Sequence, residues 1–203
     1  RLDLGGTNCV VDAACAASLS AAKMAVSDLI EGRSDMIITG GVDTDNSIFM
    51  YMCFSKTPAL TPGSHARPFD ADSNGILIGE GVGMLVLKRL EDAERDNDRI
   101  YAVIRGIGTS SDGRSKSIYA PREDGQVKAL KRAHEDADID IETIGLIEAH
   151  GTGTRAGDVC EAEALKNVFT TGKKQHIALG SVKSQIGHTK SAAGAAGLIK
   201  TAL

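Results

Sequence analysis

The chain has 203 residues and a formal charge of −4, with 23 basic and 27 acidic side chains mixed along it, which excludes a basic nucleic-acid surface. Hydrophobic residues make up 42%, aromatics only 3%, and there are 23 glycines and no tryptophan, a balance that points to closely packed α/β layers built on small residues. Cys9, Cys15, Cys53 and Cys160 show no CxxC spacing and no apolar run reaches membrane-spanning length, so zinc, a disulfide framework and a membrane span are not expected. No signal-peptide pattern opens the chain, and the cysteine usage suits a reducing cytoplasm. A start on Arg1-Leu2-Asp3-Leu4 and an end inside a helical pattern suggest an internal fragment of a longer polypeptide.

Cys9-Val10-Val11 reads as the end of a buried strand, and residues 19–30 carry a helical period that stops at Gly32. Cys15 then falls where a strand turns into a helix. A helix N-terminus favours thiolate over thiol, and the flanking alanines allow the close approach a strained nucleophile turn demands. Taken alone, Cys15 fits better a small buried hydrophobe, the commonest fate of a free cysteine.

Residues 36–41 predict a buried strand, 42–51 a loop entering a short helix, and 56–72 a long polar loop with Pro58, Pro62 and Pro68. Gly79, Gly81 and Gly83 precede a strand over 84–87. Their spacing is not GxGxxG, so a tight sheet corner fits better than a nucleotide site. A charged helix over 90–98, a strand over 101–107, a polar loop over 110–125 and a helix over 127–137 follow. A strand over 144–149 delivers His150, a helix spans about 159–169, and a strand over 177–180 delivers the segment that ends at His188. The last helix covers 191–203. Alternating strands and helices argue a layered α/β fold.

Three strand ends then present Cys15, His150 and His188. A thiolate with two imidazoles is a plausible acyl-transfer set, in which cysteine attacks a thioester and imidazoles stabilise developing oxyanions.

Four ordered motifs extend this. Asp12-Ala13-Ala14-Cys15, Arg67-Pro68-Phe69-Asp70 with Gly79-Glu80-Gly81, Glu148-Ala149-His150-Gly151-Thr152-Gly153-Thr154 with Gly157-Asp158, and Lys183-Ser184-Gln185-Ile186-Gly187-His188 resemble the signatures of β-ketoacyl synthases over essentially the whole chain. The runs over 41–46 and 112–121 look like the ketosynthase of bacterial polyunsaturated fatty acid synthases, related to that of type I polyketide synthases.

The resemblance implies a thiolase-like, five-layered α-β-α-β-α fold, present here in part. About 1–115 would be the end of the N-terminal half and about 116–203 the start of the C-terminal half. It implies decarboxylative Claisen condensation of an acyl thioester with a malonyl-carrier protein. Cys15 would take the acyl chain, His150 and His188 would support decarboxylation, and Lys183 would order His188 with Asp158 and Glu161 as partners. Thr152 and Thr154 would bind the pantetheine arm. No cofactor is implied on the chain itself. Phosphopantetheine would arrive on an acyl carrier protein, and the enzyme would be a cytoplasmic homodimer. Gly197 stands where some bacterial elongating synthases have a glutamate. A stand-alone elongating ketosynthase, a thiolase and a non-catalytic chain-length subunit remain as alternatives, although such subunits lack the cysteine and thiolases need a second reactive one.

Overall fold

The computed structural model describes residues 3–114, 120–170 and 176–203, which form two compact units. The first gathers residues 3–45, 80–103 and 189–203; the second gathers 46–79 and 104–188, apart from the positions outside the described residues. Part of the 112–121 run lies among those positions.

In the first unit, helix α1 (Ala17–Ile30) follows directly on a 3-10 turn, Ala14–Ala16. It buries Ala17, Ser18, Ala22, Ala25 and Leu29 and ends before Gly32, whose φ of 70° suits a left-handed exit. The Arg89 guanidinium donates to the Leu29 and Ser34 carbonyls at 2.9 and 2.8 Å, placing a cation at the negative end of α1. Strand β1 (Met36–Asp43) runs antiparallel to β2 (Gly81–Lys88), with Met36 opposite Lys88 and Asp43 opposite Gly81. Gly41 and Gly83 face each other across the ladder. A Cβ on Gly41 would lie 2.8 Å from Ala192 Cα, and one on Gly83 would lie 3.2 Å from Ala195 Cβ, so a second 3-10 turn (Lys190–Ala192) and the last helix (Ala193–Ala202) press on that face. Ile38, Val42, Val82, Met84 and Val86 line the other face, which is exposed.

In the second unit, α2 (Ile48–Lys56) begins at Ser47, whose side chain accepts from the Met50 N–H. Back in the first unit, α3 (Leu90–Arg95) follows β2. Helix α4 (Glu123–Ala137) packs on α5 (Arg155–Phe169), with the His134 and Phe169 rings edge to face at 5.2 Å. Strand β3 (Leu146–Glu148) pairs in parallel with β4 (Ala178–Gly180), and the ladder runs one bond further through Ala149 N–H to the Gly180 carbonyl. A four-residue helix, α6 (Lys183–Ile186), follows β4, and the chain ends with α7 (Ala193–Ala202).

Several expectations need correction. Residues 9–11 form no strand: Val10 is 96% exposed, and among the described residues nothing pairs with this segment. Residues 101–107 form none either. From 104 onward the chain lies along α4, where Ile107 N–H donates to Asp136 and a Cβ on Gly106 would strike the Ala137 nitrogen at 2.4 Å, so its backbone bonds go to a helix. The strands expected to be buried are half exposed, because a two-stranded ribbon covers only one face. Helix α5 starts four residues earlier than its apolar period suggests, since Thr154 caps it.

Candidate active site

Cys15 sits in the first unit, in the middle of the Ala14–Ala16 turn that winds into α1. It is half-buried. Ala14 holds φ 49°, a left-handed conformation costly for a residue with a Cβ, and its N–H is held by the Asp12 carboxylate at 3.0 Å. The turn is thus strained, as expected, but it follows an extended segment rather than a strand end.

The other seven expected site residues lie in the second unit. Strand β3 ends two residues before His150. The backbone N–H groups of His150 and Gly151 donate to the two oxygens of Glu161, at 2.6 and 2.8 Å, so one carboxylate on α5 fixes the loop that carries the imidazole. Burial raises the Glu161 pKa; these two bonds and the Lys183 charge work against that.

Asp158, 5% exposed, accepts from Gly153 N–H at 3.0 Å, Phe69 N–H at 2.8 Å and the Ser73 hydroxyl at 3.1 Å. It therefore ties the histidine loop to the 67–73 segment. Thr152 and Thr154 hydroxyls lie 2.9 Å apart, and Thr154 also accepts from Gly157 N–H as the cap of α5. Gly151 and Gly153 have φ of 47° and 78°. A Cβ at 151 would lie 2.7 Å from Ser181 Cβ, so this tight loop requires glycine there.

His188 does not sit at a strand end. It follows α6 and Gly187 (φ 72°), and its backbone is held on both sides by the 77–79 segment: His188 N–H donates to Leu77 O at 2.7 Å and Gly79 N–H to His188 O at 3.0 Å. The residue is 3% exposed. Its ring stands edge-on to His150, with centroids 5.4 Å apart and planes at 89°. Lys183, at the start of α6, is 4% exposed, and its charge reaches both Glu161 and His150. The His150 pKa falls to about 4, chiefly because water is withdrawn from the ring and secondly because of Lys183. The residue as a whole is exposed, and its imidazole is neutral at pH 7.

Sequence reasoning assigned no role to Glu148, which accepts from Val182 N–H at 2.5 Å and so joins the ends of β3 and β4. Ser73 was equally silent. No local pattern marks either residue, because their partners lie far along the chain. Among the described residues no cluster of side chains suits a metal ion, and no helix is long and apolar enough to cross a membrane.

The model of the β-ketoacyl synthase N-terminal domain matches residues 1–93, and that of the β-ketoacyl synthase C-terminal domain matches residues 101–203. The chain belongs to the β-ketoacyl synthase family. Its fold is the thiolase-like α/β fold of these acyltransferases, as the sequence resemblance implied. A polyunsaturated fatty acid synthase subunit from Thraustochytrium sp. is 52% identical over 202 residues, which are 98% of this chain and 7% of that protein. The ketosynthase from module 6 of the bacillaene synthase of Bacillus subtilis 168 superposes with a TM-score of 0.92 at 44% identity, covering 95% of this chain and 35% of that one. The PfaC keto synthase-chain length factor gives a TM-score of 0.92 at 42% identity over 98% of this chain and 22% of that one. This β-ketoacyl synthase segment thus spans about a third or less of these two solved relatives and a small share of the Thraustochytrium protein.

Proposed function

We propose that the protein carrying this chain is a β-ketoacyl synthase of polyunsaturated fatty acid or polyketide assembly, joining an acyl thioester to a malonyl-carrier protein with loss of carbon dioxide. The observation that carries this reading is the pairing of His150 and His188, edge to face beside a buried lysine, with His150 neutral. The 52% identity to a polyunsaturated fatty acid synthase supports the pathway class.

The Cys15 thiolate attacks the acyl thioester, the carrier thiol leaves, and the acyl chain stays on sulfur. The malonyl carboxylate then leaves as carbon dioxide. The electron pair it leaves behind forms an enolate, whose oxygen accepts hydrogen bonds from imidazole N–H groups of His150 and His188. The enolate carbon attacks the acyl carbonyl, and the cysteine thiolate departs. Glu161 and Asp158 hold the His150 loop, and burial, aided by the Lys183 charge, keeps His150 neutral. Thr152 and Thr154 are the groups proposed to meet the phosphopantetheine arm of an acyl carrier protein. The separate matches to 1–93 and 101–203 support a division into two halves, with the junction falling between those ranges and ahead of residue 115. Homodimerisation and a cytoplasmic setting complete the proposal.

The two half-reactions separate the roles. In the full-length protein, Cys15→Ala abolishes condensation and retains malonyl decarboxylation, whereas His188→Ala loses decarboxylation. Each imidazole donor is expected to be worth on the order of 10²–10³ in rate. Decarboxylation that survives unchanged in His188→Ala would remove the histidine assignment.

A further inference from the structure

The turn that bears Cys15 is packed against a turn held by a buried ion pair. Lys190 is 6% exposed, and its ammonium lies 3.0 Å from Asp43 Oδ1 at the end of β1. Asp43 Oδ2 accepts the Ser191 N–H at 3.3 Å. The Ser191 hydroxyl lies 2.9 Å from that same oxygen and 2.8 Å from the Val42 carbonyl, sharing its proton between them. Burial works to raise the Asp43 pKa, but the bonds from Lys190 and Ser191 outweigh it and keep the carboxylate ionised. Lys190 itself holds φ 50°, a left-handed conformation that needs support from its surroundings.

The Lys190–Ala192 turn packs directly on Ala14–Ala16 and on α1. Strand β1 fits closely against both the second turn and α1: a Cβ on Gly41 would lie 2.8 Å from both Ala192 Cα and Ser18 Cβ. Ser18, the second residue of α1, accepts the Ala195 N–H at 3.0 Å and is 1% exposed. Two strained left-handed residues, Ala14 and Lys190, therefore belong to turns that lean on each other, and the charges of Asp43 and Lys190 fix the second turn to the sheet. A buried pair of this kind adds little net stability over an apolar replacement, yet it enforces one arrangement, because any slip leaves a charge uncompensated.

We propose that Asp43 and Lys190 form a positioning pair for the nucleophile: they set the Lys190–Ala192 turn, which sets the Ala14–Ala16 turn and with it the direction of the Cys15 thiol. This rests on the reading of Cys15 as the acylated residue. The pair touches no reacting atom. It acts on the transfer of the acyl group to sulfur and not on malonyl decarboxylation, which is assigned to the histidines.

The test measures both half-reactions in the full-length protein: the rate of Cys15 acylation at saturating acyl thioester by quenched flow and peptide mass, and malonyl-carrier decarboxylation. Misplacement of a reacting group by about 1 Å costs on the order of 10²-fold. Lys190→Met should lower the saturated acylation rate by roughly ten- to a hundredfold and leave decarboxylation within about twofold, while Lys190→Arg, which keeps the charge pair, should restore acylation to within a few fold. Should Lys190→Met not yield folded protein, Asp43→Asn and Lys190→Arg are compared by the same ratio of the two rates. Equal loss in both half-reactions would make the pair merely structural and overturn the proposal, as would acylation unaffected by any of the variants. Failure of the unaltered protein to acylate at Cys15 would instead overturn the assignment of the nucleophile.

Discussion

At the scale of single residues, burial and a neighbouring charge together set the protonation of His150. His150 is pushed down to about 4 by loss of water around its ring and by Lys183. An unfolded chain would take up a proton near 6.5, so between about 6.5 and 4 acid favours the unfolded state. The contribution of neutral His150 is complete above that window and is lost as the pH falls through it. Diethyl pyrocarbonate, which reacts with neutral imidazole, reports this directly. Mapped at His150 in the full-length protein, its reaction should stay fast down to pH 5. In Lys183→Met the midpoint should move up only part of the way, because a repelling cation has gone while burial, the larger cause, remains. Identical midpoints near 6.5 in both proteins would contradict the electrostatic account. The identity of these residues was legible in the sequence, since His150, His188 and Lys183 stand in ordered motifs. Their electrostatics were not, because burial and the Glu161 clamp depend on residues brought together only by folding.

At the scale of elements, local period was enough to find α1, β1, β2 and α4, although only α1 exits through a glycine, Gly32, while α4 exits through Asp138 at φ 48° and β1 runs on past Gly40 and Gly41 to Asp43. It failed for residues 9–11 and 101–107. An apolar run says that a segment is extended, but not whether a neighbouring strand exists to complete a ladder. The segment from 104 finds α4 instead, through Gly106 and Gly108. The four-residue α6 was also invisible, as four residues carry no period. Thr154 shows how one residue can hold a role that motif reading overlooks: it caps α5 through Gly157 N–H, which explains the early start of that helix. Gly151 is a local device at the candidate site itself. Alanine there would combine a left-handed φ with contacts of 2.7 Å to Ser181 Cβ and 3.0 Å to Pro68 Cβ. Gly151→Ala should destabilise the fold by on the order of 3 kcal/mol. Denaturant unfolding of the full-length protein checks this, and an unchanged midpoint would show that the loop relaxes freely.

At the scale of the whole molecule, the exposed apolar surface stands out. Val82 and Val86, at 65% and 64% exposed, share a sheet face with Ile38, Val42 and Met84, and α2 presents Ile48 and Phe49 at 81% and 71%. Surfaces of this kind are rarely left to water. Residues 1–203 expressed alone should therefore self-associate and should not condense acyl chains; a monodisperse, cooperatively unfolding, active preparation would contradict that. The central claim is that Cys15 carries the acyl chain of a β-ketoacyl synthase, and it is tested most directly by incubating the full-length protein with an acyl thioester, digesting it and locating the added mass. The account predicts a single acyl group on Cys15, discharged when malonyl-carrier protein is added and absent from Cys15→Ala. Acylation at another residue, or its persistence in Cys15→Ala, would contradict it.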